Sequence, residues 1–337
     1  MTGLSRRALG ALAIAATLAA GSAAAPATAQ ERVKLRVVFP TSPSTVILPH
    51  FVAHDQGWLK DKGLDIEETW LVGDPNALRA VLAGQGDIAL LGTFPVIAAV
   101  AQGGKLKAFA SWQPKVDYVI VSRPELKTMA SLKDARVAAA SSGGLTTELP
   151  KMVMEKHGVD HSKAQFFVVG GHDARVAAVV AGKADAALVG ELFAAHGKKM
   201  PPINVLSSLA KEFPNLVYFY MVTQEKDMAD PAKRRAMEIY TRYAVIEGSR
   251  FIMKNPDKAA EILKKRAPDV DLGLIREVIG RLNDSGVWGV NGGLDAAAAA
   301  YTAKMAASLA SAPREVKPEE FIDTSLVDKV IAEAGKM

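Results

Sequence analysis

The sequence repeats the stretch Asp74-Pro-Asn-Ala-Leu-Arg-Ala-Val-Leu-Ala-Gly-Gln-Gly-Asp-Ile-Ala-Leu-Leu-Gly92, without gaps, as His172-Asp-Ala-Arg-Val-Ala-Ala-Val-Val-Ala-Gly-Lys-Ala-Asp-Ala-Ala-Leu-Val-Gly190. Eight of the 19 aligned pairs are identical, including two pairs of glycines and the pair Asp87 and Asp185. Glycine and aspartate fix turns, so their matching positions indicate a shared plan rather than a chance similarity of alanine-rich helices. The repeat predicts two similar α/β units in series, that is, one internal duplication. We interpret Asp87 and Asp185 as structural residues at strand starts.

Strands and helices alternate through the first two thirds of the chain. The pattern predicts strands at Leu35–Phe39, Leu64–Val72 and Asp87–Leu91, and a helix that begins at Asp74 as N-cap and ends at Ala83. The third strand is continuously apolar, as a buried parallel strand should be. Alternation of this kind with short loops is typical of βαβ units and a parallel sheet.

The chain is helical after Ala229, and the apolar stripes of these helices require a surface to pack on. Two extended segments, Asp117–Ser122 and Leu216–Thr223, flank the second unit, and we interpret them as crossovers between two lobes. The predicted fold is therefore α/β with two lobes, each a mainly parallel sheet flanked by helices, and with the C-terminal helices on lobe one. We expect lobe one to begin with residues 30–117, lobe two to comprise 118–222, and residues 223–337 to return to lobe one.

The composition excludes several classes of function. The chain has 337 residues, of which 49% are hydrophobic and 23% charged, a formal net charge of +5 and no cysteine. Without cysteine there is no thiol catalysis, no disulfide and no Cys-ligated metal. No lysine- or arginine-rich block suggests nucleic-acid binding. His50 and His54 are four residues apart but lack the Glu of a His-Glu-x-x-His motif, so we expect no metal site and no cofactor.

The N-terminal segment has the layout of a secretory signal peptide. Arg6 and Arg7 precede an apolar stretch from Ala8 to Ala20, and small residues lead up to Ala29. We expect residues 1–29 to be removed after about Ala29 and the mature protein to reside in the periplasm. The sequence leaves open whether export follows the general or the twin-arginine route.

Short polar residues and glycines follow several of the predicted strands. Ligands of open parallel sheets bind beyond the carboxyl ends of the strands, where helix N-termini offer unpaired N–H groups. Each of these turns could simply be a helix cap. The segment from Ser141 to Thr147, however, has two Ser, two Gly and two Thr, which is more than a helix cap requires. It has no Gly-Lys-Ser/Thr ending, which argues against a nucleoside triphosphatase. The candidate hydrogen-bond donors are Ser42, Ser44, Thr93, Ser141, Ser142, Thr146 and Thr147.

Three further side chains are candidates for the ligand pocket. Phe94 and Trp112 could form apolar walls, although either could instead fill the protein interior. Glu191 could accept a hydrogen bond from the ligand, or it could be an acid favoured in the first turn of a helix.

The run from Val33 to about Ala195 resembles the solute-binding proteins of the nitrate/sulfonate/taurine type, a group that includes thiamine-pyrimidine binders. The similar elements are Leu35-Arg-Val-Val-Phe-Pro, Gly57-Trp-Leu-Lys-Asp-Lys-Gly-Leu-Asp-Ile-Glu, Ala83-Gly-Gln-Gly-Asp-Ile-Ala-Leu-Leu-Gly, Leu132-Lys-Asp, Val137 to Thr147 and Ala181-Gly-Lys-Ala-Asp-Ala-Ala. The resemblance implies a periplasmic binding protein fold of the type II kind, and a ligand on the turns after the first strand, at Gly92-Thr93 and at Ser141–Thr147. The chain departs from the family at Gly190-Glu191, where many members have an aromatic residue beside the acid.

The resemblance also implies a function, which is that of the substrate-binding subunit of an ABC importer. We expect capture of a small polar, anionic organic solute, such as a sulfonate, taurine or a carboxylate, by hinge closure, and docking of the monomer on an inner-membrane ABC permease. The alternatives are a pyrimidine or other heteroaromatic ligand, a sensory binding protein, or an enzyme on this fold. The enzyme is disfavoured because no Ser-rich turn has a paired His and no Gly-x-Ser-x-Gly motif occurs.

Overall fold

The structure is a computed structural model that describes residues 32–197, 203–308 and 311–337. The expected signal peptide, residues 1–29, lies outside the described residues. No helix in the described part of the chain is long and apolar enough to cross a membrane.

Ten strands form two five-stranded sheets. The strands are β1 Val33–Phe39, β2 Leu64–Trp70, β3 Ile88–Gly92, β4 Leu106–Ala110, β5 Tyr118–Ser122, β6 Arg136–Ala139, β7 Gln165–Val168, β8 Ala186–Gly190, β9 Asn204–Ser208 and β10 Phe219–Gln224. The strand order is β2-β1-β3-β10-β4 in the first sheet and β7-β6-β8-β5-β9 in the second. In each sheet one strand, β10 or β5, is antiparallel to both of its neighbours. The two lobes therefore share one topology, as the sequence repeat predicts.

Sixteen α-helices are described in residues 32–197, 203–308 and 311–337. They are α1 Leu48–Asp55, α2 Trp58–Asp61, α3 Asp74–Leu82, α4 Thr93–Ala101, α5 Leu145–Lys156, α6 His172–Val180, α7 Glu191–Gly197, α8 Leu209–Glu212, α9 Glu225–Ala229, α10 Pro231–Tyr240, α11 Gly248–Lys254, α12 Pro256–Arg266, α13 Leu272–Asp284, α14 Ala296–Ser308, α15 Pro318–Phe321 and α16 Ser325–Ala334. Residues 241–247 join α10 to α11 as a π-helix, and short 3₁₀-helices occupy residues 45–47, 129–132 and 161–163.

The α/β two-lobe fold predicted from the sequence is confirmed. The C-terminal helices pack mainly on lobe one, where α11 and α12 contact α1, and α16 contacts β4. Helix α13 differs, because it also packs against α7 of lobe two. The helical region predicted after Ala229 begins with α10–α13, which span most of residues 231–284.

The crossovers lie a few residues earlier in the chain than the sequence predicts. β5 belongs to the second sheet and β10 to the first, so the chain crosses at about residues 111–117 and 213–218 and re-enters lobe one at Phe219. The crossing segments are hydrogen-bonded to each other, with the backbone N–H of Tyr218 donating to Pro114 O at 2.8 Å. Two adjacent crossovers of this kind are suited to act as a hinge.

The repeated aspartates tie each lobe together at equivalent places. Asp87 accepts hydrogen bonds from the backbone N–H of Arg36 at 2.9 Å and from its guanidinium. Asp185 accepts from the backbone N–H of Arg136 at 2.8 Å and likewise from its guanidinium. Each carboxylate thus joins the loop before one strand to the neighbouring strand, which explains why the repeat contains it twice.

Candidate functional site

A small cavity of about 100 Å³ lies between the two lobes. Its walls come from the carboxyl ends of strands and the first turns of helices, where the sheet topology favours a ligand. Lobe one contributes Ser42, Gly73 and Asp74, lobe two contributes Leu145, Thr146, Gly171 and Arg175, and the strands next to the hinge contribute Tyr118 and Phe219.

The lobes touch around this cavity, so the structure shows a closed form. A Cβ on Gly73 would lie 2.5 Å from Ser141 Cβ, and one on Gly92 would lie 2.5 Å from Leu145 Cδ1. Gly73 also has φ +87°, which favours glycine. The absence of side chains at these two positions is what lets the lobes approach this closely.

Asp74 reaches from lobe one to the N-terminus of α5 in lobe two. Its Oδ1 accepts a hydrogen bond from the backbone N–H of Gly92 at 2.8 Å, and the backbone N–H of Leu145 acts on the pKa of the same carboxyl group. Burial raises the pKa of Asp74, and these two N–H groups oppose that rise. The sequence predicts Asp74 as an N-cap and the Ser141–Thr147 segment as a ligand loop. In the structure Gly73 is the N-cap of α3, and Asp74 is its first residue.

His172 occupies the position in lobe two that Asp74 occupies in lobe one. Its Nδ1 accepts a hydrogen bond from the backbone N–H of Gly190 at 3.1 Å, just as Asp74 accepts from Gly92. The ring stacks on Phe193 with centroids 4.4 Å apart and planes at 8°. Burial, and then the charge of Arg175, lower the pKa of His172, so the imidazole is neutral at pH 7.

Arg175 places a buried positive charge at the cavity. It is 1% exposed, and its guanidinium donates to Leu188 O at 3.0 Å and to Gly170 O at 2.6 Å. Its Nη2 lies 3.2 Å from His172 Nδ1. Arg175 forms no ion pair with any residue whose placement the structure describes. Burial lowers its pKa, although arginine remains charged at any physiological pH.

Further buried polar groups lie beside the hinge. Thr45 Oγ1 donates to Asp117 Oδ2 at 3.2 Å, and burial raises the pKa of Asp117 to about 6. Within the described part of the chain, Asp117 Oδ1 and Ser44 Oγ have no hydrogen-bond partner. The Tyr118 ring connects this region to the cavity, because it lies edge-on to His172 at 5.6 Å.

The structure brings some of the sequence-predicted donors to the cavity. Ser42 and Thr146 line it, and Ser141 lies next to it, in contact with Gly73 of the cavity wall. Thr146 Oγ1 accepts from the backbone N–H of Ala140 at 2.9 Å.

Other predicted donors lie elsewhere. Thr93 Oγ1 donates to Val217 O at 2.9 Å and so attaches α4 to the hinge, and Thr147 Oγ1 donates to Gly144 O at 2.8 Å within its own turn. Ser142 is exposed, and Ser44 is buried beside the hinge.

The predicted walls and the predicted acid also lie away from the cavity. Phe94 lines a separate surface groove together with Gly143 and Lys151. Trp112 is fully buried in lobe one and stacks on Phe39. Glu191 pairs with Arg281 of α13 at 3.4 Å, in a groove outside the cavity.

The sequence reasoning missed the two charged residues at the cavity, Asp74 and Arg175. The sequence does contain a signal for Arg175. It is a basic residue on the apolar face of α6 that also carries His172, Val176 and Val179. The residue aligned with it in the lobe-one copy of the repeat is Ala77. No group of three or more His, Asp or Glu residues that could hold a metal ion occurs in residues 32–197, 203–308 and 311–337.

Comparison with known proteins agrees with this architecture. A protein from Bordetella bronchiseptica RB50 has a TM-score of 0.76 at 19% identity, covering 90% of this chain and 98% of that one. The nitrate-binding protein NrtA from Synechocystis PCC 6803 has 0.75 at 14%, covering 90% of each chain. The alkanesulfonate-binding protein SsuA from Xanthomonas axonopodis pv. citri has 0.68 at 16%, covering 87% and 99%. Identities this low establish the fold alone, which is that of periplasmic binding proteins.

Sequence comparison adds the family. The Bacillus subtilis (strain 168) binding protein YtlA is 28% identical over 119 residues, and the match spans 34% of this chain and only 36% of that relative. The sequence model described as NMT1/THI5 like matches residues 44–259, which is more than half of the chain. The protein therefore belongs to the NMT1/THI5-like family.

Proposed function

We propose that this protein is the extracytoplasmic solute-binding component of an ABC importer. It captures a small polar organic solute with an anionic group between its lobes, closes around it and presents the closed form to a membrane permease. The family, the two-lobe fold and relatives named for nitrate and alkanesulfonate binding support this proposal.

The observation that carries the proposal is Arg175. A buried charge costs several kcal/mol unless a counter-charge and hydrogen bonds compensate it. Carbonyl groups hold the guanidinium, but no carboxylate among the described residues pairs with it. An anionic group of the solute would supply the missing counter-charge inside the cavity.

The cavity volume limits the size of the solute. Pockets for drug-sized ligands measure roughly 300–1,000 Å³, whereas this cavity measures about 100 Å³. A solute of a few non-hydrogen atoms fits the closed form, and a larger one requires the lobes to remain further apart.

The proposal includes where and how the protein works. Residues 1–29 direct it to the periplasm, where it acts as a monomer without turning over its solute. Detection of the mature N-terminus near Gln30 in a periplasmic extract, and recovery of unchanged solute after incubation, test these two parts.

A thermal-shift screen tests the central part. Sulfonates, taurine, nitrate, bicarbonate, aromatic acids and pyrimidines serve as probes, and a bound solute at 100 times its dissociation constant should stabilise the protein by about 2.7 kcal/mol. Stabilisation by cations or apolar molecules alone would contradict the proposal.

Variants of Arg175 connect the screen to the site. Hydrogen bonds to charged groups contribute about 1.5–3 kcal/mol, so Arg175→Gln should weaken anion binding by roughly 10- to 150-fold, and Arg175→Lys should weaken it less. Arg276→Gln is the matched control, because Arg276 lies on the surface of α13 and pairs with Asp257 at 3.0 Å. Equal affinities of Arg175→Gln and the control would remove Arg175 from the site.

A further inference from the structure

The cavity between the lobes holds a buried acid as well as a buried base. Asp74 lies in the lobe-one wall and is 6% exposed, whereas Arg175 lies in the lobe-two wall and is 1% exposed. Like Arg175, Asp74 has no ion-pair partner among the residues with a described placement. An acid and a base therefore line a common space of about 100 Å³.

The surrounding backbone fixes both side chains without neutralising them. The N–H group of Gly92 holds the carboxyl group of Asp74, and the carbonyls of Gly170 and Leu188 hold the guanidinium. Peptide groups carry partial charges but no net charge. Among the described residues, neither side chain has a counter-ion within ion-pair distance, although the charge of Asp173 acts on Arg175 from further away.

The two copies of the sequence repeat carry different residues at the positions of Asp74 and Arg175. The partner of Asp74 in the repeat is His172, and the partner of Arg175 is Ala77. The acid is thus confined to lobe one and the base to lobe two, and closure brings them to the same cavity.

Three classes of solute would meet these charges differently. A simple anion would pair with Arg175 but would gain nothing from the negative charge of Asp74, because an anion beside this buried acid favours its protonated form. A neutral solute would leave both charges buried without compensation. A solute with one positive and one negative group would compensate both.

We propose that the solute is a small zwitterion, with its anionic group at Arg175 and its ammonium group at Asp74. This inference rests on the proposed function, narrows its substrate class and makes Asp74 a specificity-determining residue. The sequence analysis lists taurine, which is a zwitterion, among several candidate solutes but assigns no residue of the cavity to an ammonium group.

The test uses three pairs of compounds that differ by one amino group: glycine and acetate, β-alanine and propanoate, and 2-aminoethanesulfonate and ethanesulfonate. Dissociation constants are measured by calorimetry at pH 7. In the unmodified protein, the amino compound of at least one pair should bind at least 10-fold more tightly than its partner. In Asp74→Asn this ratio should fall towards one, whereas Arg175→Gln should weaken both members of the pair. Asp65→Asn is the control, because Asp65 is half-exposed on β2.

The outcomes separate this inference from the proposed function. A ratio of one or less in every pair, with the anions still bound, would overturn the zwitterion and leave anion capture standing. Failure of all six compounds to bind, together with no stabilisation by any anion of the thermal-shift screen, would count against the proposed function itself. The ratio of dissociation constants within each pair is measured in the unmodified protein, so the inference can be tested even if Asp74→Asn does not fold.

Discussion

One added methyl group at Gly92 should oppose closure of the lobes. A Cβ there would lie 2.5 Å from Leu145 Cδ1 across the cleft, and the backbone at φ −58° accepts any residue without strain. Carbon atoms in contact stand about 3.5–4.0 Å apart, so Gly92→Ala forces a separation of about 1 Å. Overpacking of this kind costs about 1–3 kcal/mol. The cost falls mainly on the closed form, because Leu145 belongs to the other lobe, and the closing equilibrium should fall by roughly 5- to 150-fold.

A disulfide reporter measures closure without any solute. The chain has no cysteine, so Ser42→Cys with Gly171→Cys introduces the only two thiols. In the closed form Ser42 Oγ lies 3.6 Å from the position that a Cβ on Gly171 would take, which is close to disulfide reach. Under a fixed mild oxidant, the rate of disulfide formation should drop in the Gly92→Ala background by up to the factor calculated above.

Two controls separate the steric effect from a general loss of stability. Leu145→Ala added to Gly92→Ala removes the clash and should restore the rate, as a double-mutant cycle would show. Gly280→Ala, where an added Cβ meets nothing within 4 Å, should leave the rate unchanged. An unaltered rate in Gly92→Ala, at an unaltered melting temperature, would refute the argument that these glycines permit closure.

Three further predictions concern residues outside the cavity. Burial alone would raise the pKa of Asp87, but hydrogen bonds from Arg36 outweigh it and hold this pKa at about 2. Asp87→Asn should therefore lower the free energy of unfolding by about 2 kcal/mol above pH 4. Guanidinium titrations should show this difference fading as the pH falls from 4 to 2, and a pH-independent difference would contradict the prediction. Glu191→Gln removes a partly exposed ion pair with Arg281, so calorimetry and thermal melts should show unchanged solute affinity and a stability loss below about 1 kcal/mol; a tenfold loss of affinity would place Glu191 in the site. Trp112→Phe removes a buried indole N–H that has no partner among the described residues, and this gain should offset lost packing to within about 1 kcal/mol; weakened solute binding would show instead that the indole contacts the solute.

The part of the fold that local signals specify was predictable from the sequence. Glycine and aspartate at matching positions fixed the turns of both copies, and the repeat therefore indicated two lobes of one plan. The place of β10 between β3 and β4 was not predictable, because hydrophobic periodicity identifies a strand but carries no information about its neighbours. The same gap explains why the predicted crossovers extended into β5 and β10.

The sequence offered as site candidates the short polar residues in the turns between strands and helices. Two of them, Ser42 and Thr146, line the cavity. Asp74 and Arg175 did not stand out, because an acid in a first helical turn and an arginine within a helix both have ordinary local explanations. Their roles depend on burial and on contacts such as the one with Gly92, which lies 18 residues beyond Asp74.

Because the two crossovers are adjacent, lobe two is connected to lobe one as an inserted domain. The chain enters and leaves it through segments joined by the hydrogen bond between Tyr218 and Pro114, so its two ends lie side by side. Lobe one, in contrast, is assembled from sequence on both sides of that insertion. A gene encoding a different second lobe with equally close ends could therefore be exchanged at this junction, giving hybrid proteins whose acidic and basic walls come from different parents.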